Sequence, residues 1–265
     1  MKTKILILLF IFLLIPRIAS AGFISLTTVI STDLMTENNT KPHVKLLNSG
    51  DEPAYNVQIS LLSEDFESKP IYVGVLSPNE PFEEYFNVTL AKDILPGSYP
   101  ITVLVDYEDA NGYPFSSVSP SSIVYKNPSL SRVSGDIPEI SLSGKKSKKL
   151  TLNIRNLDDV SHDVNVELTL PRELKVVDTK KIINIESKEE KELNFEVSSI
   201  SALVGSNYVA LASLEYEDDS HHSSFARGII KIVEEKPFEF PIWLPILSFC
   251  VLLIISVYYF IRGKK

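Results

Sequence analysis

Apolar and polar residues alternate with a period of two through much of the chain. Val57, Ile59 and Leu61 alternate with Asn56, Gln58 and Ser60, and Val164, Val166, Leu168 and Leu170 alternate with Asn165, Glu167 and Thr169. Successive side chains of a strand point to opposite faces, so this pattern sends one face into a core and the other into water. Turn-forming clusters recur at Asn48-Ser49-Gly50-Asp51, Ser77-Pro78-Asn79-Glu80-Pro81, Asn111-Gly112 and Ser143-Gly144. Between the two terminal apolar stretches no segment carries a convincing helical period, with residues 199–204 the one doubtful spot. Many short strands with such turns predict an all-β chain made of two immunoglobulin-like β-sandwiches of about seven strands each. A closed barrel fits the unequal loops less well.

Two stretches break the alternation. Residues 242–261 are almost continuously apolar and uncharged, and Arg262-Gly263-Lys264-Lys265 follows them. A helix of that length rises roughly 30 Å, the thickness of a bilayer's hydrocarbon core. Trp243 at one end and Tyr258 and Tyr259 at the other suit the headgroup layers. Cations lie on the C-terminal side alone and Glu234, Glu235 and Glu239 precede the stretch, so the positive-inside rule puts residues 262–265 in the cytoplasm. At the other end Lys2 and Lys4, an apolar core over residues 5–15 and Ala19-Ser20-Ala21 read as a secretory signal peptide, residues 1–21. An uncleaved second anchor is the competing reading, but eleven residues closed by Pro16 and Arg17 are too few to span. The expected product is a single-pass type I membrane protein with its ectodomain outside the cell. Membrane lipid is then a partner through the C-terminal helix.

Charge sharpens the picture. All 34 acidic residues and 20 of the 26 basic ones fall between the signal peptide, residues 1–21, and the C-terminal apolar stretch, a balance of −14 for the ectodomain. Such a surface repels phosphate backbones, which argues against nucleic acid as a partner. The single cysteine, Cys250, lies within the anchor, so no disulfide can staple the exterior and each sandwich must rely on its core.

Internal similarity divides the ectodomain. Lys45-Leu46-Leu47-Asn48 and the turn after it, leading into Val57, Ile59 and Leu61, recur as Leu152-Asn153-Ile154-Arg155-Asn156 leading into Val164, Val166 and Leu168. Gly97-Ser98-Tyr99 answers to Gly205-Ser206-Asn207-Tyr208, and Tyr107-Glu108-Asp109 to Tyr216-Glu217-Asp218. These landmarks predict tandem domains over residues 22–127 and 128–236, joined at Asn127-Pro128 and followed by the transmembrane helix 242–261 and the tail 262–265. Proline biases the residue before it toward extended geometry, so a stiff linker and an end-to-end rod are expected.

The pattern Asn48-x-Gly50-x-x-x-Ala54-x-Asn56-Val57, the segment Leu170-Pro171-Arg172-Glu173-Leu174 and the closing Gly-x-Tyr and Tyr-Glu-Asp elements resemble the immunoglobulin-like repeats of the cell-adhesion-related (CARDB-type) superfamily. The likeness covers residues 40–127 and 128–235, and the second copy departs from it where Leu157-Asp158 replaces Ser49-Gly50. Such repeats are common in membrane-anchored, S-layer-associated surface proteins of archaea and some bacteria. The resemblance implies a fold and a location, and its pattern contains no catalytic residue.

Candidate chemistry is sparse. The histidines are His43, His162 and the pair His221-His222. Neighbours on a strand face opposite ways, so the pair would chelate one metal only from a turn, and a solvated turn is the plain reading. Asp106, Glu108 and Asp109 around Asn111-Gly112 form a weak calcium candidate, with hairpin turn chemistry as the competing account. Lys145-Lys146-Ser147-Lys148-Lys149 reads as a guard against edge-to-edge strand pairing or a docking point for an acidic partner. Asn38-Asn39-Thr40 and Asn87-Val88-Thr89 are glycosylation sequons, with Asn38 and Asn87 as acceptors. No catalytic constellation and no cofactor site is expected. The expected function is a non-enzymatic spacer and binding or adhesion module that meets a surface or membrane protein. The alternative is an accessory subunit of a transport, secretion or glycosylation complex.

Overall fold

A computed structural model describes residues 22–144 and 146–234. The expected signal peptide, transmembrane stretch and tail, together with Lys145 and Cys250, lie outside the described residues. Among the described residues there is no helix, and none long and apolar enough to cross a membrane.

The alternating segments are strands. The first half comprises β1 (Leu26–Ser31), β2 (Asn39–Thr40), β3 (His43–Asn48), β4 (Ala54–Leu62), β5 (Phe66–Ser68), β6 (Ile71–Leu76), β7 (Pro81–Tyr85), β8 (Val88–Leu90), β9 (Gly97–Glu108) and β10 (Pro114–Tyr125). The second comprises β11 (Val133–Asp136), β12 (Ile140–Ser143), β13 (Lys148–Asn156), β14 (His162–Thr169), β15 (Leu174–Val176), β16 (Lys180–Ile185), β17 (Glu190–Ser199), β18 (Asn207–Glu217) and β19 (His221–Val233). Residues 199–204, doubtful in the sequence, close β17 and open the irregular loop before β18.

In the second half β11-β13-β17-β15 faces β16-β14-β18-β19, with β12 joining β19 in parallel. In the first half β1-β3-β7 faces the sheet built from β6, β4, β9 and β10, and β2-β8-β5 closes one corner. The inward faces follow the sequence pattern. Val57 and Ile59 on β4 and Val164, Val166 and Leu168 on β14 are buried. Buried apolar residues form two main clusters. One runs from Met35 to Tyr125 and the other from Val133 to Ile232.

A pair of buried asparagines shows why the repeat landmarks recur. The Nδ2 of Asn48 donates to the carbonyls of Glu52 (2.7 Å) and Leu76 (3.3 Å), and its Oδ1 accepts from the Gly50 N–H (3.0 Å). The Nδ2 of Asn156 donates to Val160 (2.7 Å) and Ile185 (3.3 Å), and its Oδ1 accepts from the Asp158 N–H (2.8 Å). Each side chain thus ties the loop leaving its strand to the end of the next sheet's edge strand, β6 or β16. It also satisfies backbone groups that burial would otherwise orphan. The departure at Leu157-Asp158 has a local cause. A Cβ on Gly50 would lie 2.1 Å from the Phe23 carbonyl oxygen, whereas Asp158 has room to bond His162 (3.1 Å).

The junction differs from the expected rod. Lys126 adopts a positive φ of 59°, and the Asn127 N–H donates to the Tyr125 carbonyl (2.7 Å), a tight turn in place of a straight linker. The chain reverses there. The first strand of the second half and β10 run in opposite senses, and β9 and β19 run parallel, meeting at Gly97 and His221. The two halves therefore stand flank to flank.

Candidate functional site

The seam between the two halves gathers the polar side chains that the sequence scatters, and it has two ends. At the first, Gly97 lets the backbones of β9 and β19 touch. A Cβ there would sit 2.2 Å from the His221 carbonyl oxygen, so no larger residue fits without moving a strand. The His221 N–H donates to the Pro96 carbonyl (3.0 Å), and the Ser129 hydroxyl donates to the His221 carbonyl. The His221 ring stacks on Tyr99, with centroids 3.9 Å apart and planes 7° from parallel.

Both ring nitrogens of His221 face carboxylates. Nδ1 lies 3.2 Å from Glu217 and Nε2 lies 3.1 Å from Glu215. Burial disfavours the charged ring, but the hydrogen bonds to Glu215 and Glu217, with the charge of Asp65, outweigh it and leave the pKa above the usual 6.5. Nearby Asp65, itself buried, holds Lys92 at 2.9 Å, and that bond raises the lysine's pKa. A groove of about 630 Å³ opens alongside, with Leu61, Leu62, Leu174 and Val176 on its walls and Glu167 and Glu215 on its floor. Burial, and then the charge of Glu215, pushes Glu167 above the usual carboxylate range. Across this groove Lys180 of β16 pairs with Glu64.

At the other end of the seam Glu173 is buried, 2 % exposed, and accepts from both the N–H and the hydroxyl of Ser116 at 2.7 Å each. The Arg172 N–H donates to the same hydroxyl (2.7 Å), and the Arg172 guanidinium pairs with Asp106 at 2.8 Å. The Tyr113 hydroxyl donates to the Ser201 carbonyl. Between the two ends Leu104 and Val118 pack on Leu211 and Val209.

The three acidic residues considered for calcium have other partners. Asp106 is engaged by Arg172, and burial raises its pKa despite that cation. Glu108 accepts from the Asn56 side chain at 2.7 Å. Asp109 accepts from the backbone N–H groups of Tyr113 and Asn111 at 2.8 Å each, and those bonds, that from Tyr113 first, lower its pKa. The third is a turn-closing aspartate. Among the described residues no group of three or more His, Cys, Asp or Glu side chains is placed to hold a metal ion.

His221 and His222 do not form the solvated turn expected of them. They open β19, where His221 is 6 % exposed and His222 stacks on Tyr216 with its Nε2 3.0 Å from Asp218. His162 is also buried, against Tyr216, and His43 contacts Glu83 at 3.5 Å. Of the basic run, Lys148 and Lys149 begin β13 and pair with Val197 and Glu196 of β17, beyond the last rung that β11 offers at Asn153. Asn38 and Asn87 are both exposed, and the two sequons abut because Asn39 pairs with Thr89 and Thr40 with Val88. Sequence reasoning missed Glu173, Ser116, Asp65 and Glu215 as seam residues. Glu173 stood only as one letter of a family landmark, and no local signal ties it to a serine 57 positions away.

No family model matches the sequence, and no curated protein matches it. Solved structures do resemble it. Salmonella alpha-2-macroglobulin is similar over 79% of this chain at 13% identity and a TM-score of 0.34, and the chain spans 16% of that much longer protein. A protein of unknown function from Porphyromonas gingivalis W83 is similar over 77% of this chain and 98% of its own, at 12% identity and a TM-score of 0.32. The YadV chaperone is similar over 76% of this chain and 98% of its own, at 15% identity and a TM-score of 0.28. Superpositions this loose say nothing about what the chain binds or does.

Proposed function

We propose that this chain is a non-enzymatic, single-pass surface protein of type I topology. Its two immunoglobulin-like modules, residues 22–127 and 128–236, act together as one binding or adhesion head. The observation that carries the reading is the apolar stretch 242–261, which follows the last core strand, β19, after a link of residues 234–241. The seam supports the idea of a joint head. Glu173, Arg172 and His221 reach across from one half to the other, so a ligand in the groove along the seam would touch both. The CARDB-type resemblance agrees with such a role at a prokaryotic surface, with glycans on Asn38 and Asn87 projecting from one corner.

Protease added to intact cells tests the reading. Digestion of the head, leaving a membrane-embedded fragment that contains residues 242–265, is expected. Full protection in intact cells, with digestion only after lysis, would refute the topology and the function with it.

A further inference from the structure

We propose that the end of the molecule where β19 finishes is a lipid-contacting face, in which the β17–β18 loop dips into the headgroup layer and the lysine turn before β13 meets lipid phosphates. The proposal rests on the anchored reading above.

Strand direction places four features at one end. β19 runs from His221 to Val233, about 40 Å at roughly 3.3 Å per residue, so its two ends are well separated. Val233 lies opposite Ser143, the last residue of β12, so the turn with Lys146 and the start of β13 with Lys148 and Lys149 begin beside the point where the last core strand ends. The β17–β18 loop is there too. The Gly205 N–H donates to the Ile232 carbonyl (2.8 Å) and the Ile232 N–H to the Ser206 carbonyl (3.0 Å). Phe23 shares a cavity with Leu203 and Gly205, which brings the start of the first half to the same end.

Apolar side chains are exposed at this end. Ile200 is 58% exposed, Val204 57%, Leu203 39% and Phe23 57%. Residues 234–241 can reach at most about 28 Å when fully extended, so an anchor starting at residue 242 holds this end close to the bilayer. Exposed apolar side chains next to Lys148 and Lys149, which pair with β17 just before the loop, suit an anionic membrane surface, where hydrocarbon lies below phosphate. The acidic groups at this end are Glu196, which accepts from the Ser147 hydroxyl, Asp178, which shares a cavity with Lys148 and Lys149, and Glu52 and Asp109 beside Phe23 and Leu203, while Glu139 is taken up by Lys231 (2.8 Å). Leu157 and Val160 are similarly exposed at the opposite end of the second half, so apolar exposure alone does not mark the face. The chain exit and the lysines do.

The test uses the full chain, with Cys250→Ser, in nanodiscs of phosphatidylcholine and phosphatidylglycerol. Spin labels are placed singly at Leu203→Cys and Val204→Cys, at Val160→Cys as an aqueous control and at Ile255→Cys in the anchor. Collision with oxygen and with a water-soluble nickel chelate gives the environment of each. Labels at 203 and 204 are expected to lose nickel collisions and gain oxygen collisions relative to 160. Lys148→Glu with Lys149→Glu is expected to reverse part of that shift, as is replacing phosphatidylglycerol with phosphatidylcholine. Aqueous behaviour at 203 and 204 with a buried label at 255 overturns the lipid face while sparing the anchor. Loss of both collisions at 203 and 204 indicates protein cover and also overturns it. An aqueous label at 255 removes the anchored reading and this proposal together.

Discussion

Truncating Glu173 to alanine should loosen the seam without melting either core. The carboxyl group accepts from the Ser116 N–H and from its hydroxyl at 2.7 Å each, and Ser116 is itself 6% exposed. Alanine leaves the N–H without a partner, at about 1–3 kcal/mol, and removes a hydroxyl bond worth about 1 kcal/mol. The hydroxyl keeps the Arg172 N–H, and the Glu173 carbonyl keeps the N–H groups of Ile200 and Ser201, so the loop itself stays in place. The total of about 2–4 kcal/mol is below the roughly 5–15 kcal/mol that holds a typical domain folded, so it should act on local opening. At about 1.4 kcal/mol per tenfold change, the Ser116 amide should exchange about 30- to 700-fold faster. Glutamine keeps the volume and one acceptor, so Glu173→Gln should move exchange by less than about tenfold. Hydrogen exchange of the full chain in detergent, resolved at peptides covering residues 113–118 and at core peptides around Val103 and Ile154, reads all three forms. Unchanged exchange at Ser116 in Glu173→Ala, or equal acceleration at the seam and in both cores, would refute the view of the seam as a separate, carboxyl-clamped contact.

Three further outcomes follow from the same geometry. Gly97→Ala should cost about 1–3 kcal/mol by overpacking against the His221 backbone, seen as a lower thermal midpoint, whereas Gly112→Ala, which meets nothing within 4 Å, should carry only the backbone strain of its positive φ of 76°. His221 has a folded pKa above 6.5, so its stabilising contribution is complete below pH 6.5 and is lost as pH rises through the raised folded value. Urea midpoints should decline over that upper window in the native chain and stay flatter in His221→Gln, and an equal slope in both would rule out the pairing with Glu215 and Glu217 as its source. Val57→Asp and Val164→Asp each bury a charge at a position with no exposure and should cost more than about 4 kcal/mol, with exchange protection lost in the half that carries the substitution. Loss of protection across both halves from either substitution would show one shared core.

Local causes shape some of this fold and distant ones the rest. The period of two marked Val57, Ile59, Val164 and Val166 as core, and they are buried, because pleating alone decides which face a residue takes. The repeated asparagines were legible for a similar reason. Asn48 and Asn156 each bond a carbonyl four residues on, so their turn is encoded within the segment itself. Polarity misled where burial depends on a distant neighbour. His221 read as solvated, and Glu173 stood only as one letter of a landmark, but Tyr99, Pro96 and Ser129 cover the first, and Ser116 engages the second. The Asn127-Pro128 junction read as a stiff spacer, and the positive φ at Lys126 turned it into a reversal. By itself, then, the sequence determined the all-β character and which faces of β4 and β14 turn inward, whereas it expected about seven strands in each half where the structure has ten and nine. Only the tertiary structure decided that the halves meet flank to flank, because the bonds that join them link distant residues, Glu173 to Ser116 57 positions away and the His221 N–H to the Pro96 carbonyl 125 positions away (221 − 96), and no local pattern encodes which of many polar side chains will find a partner at that distance.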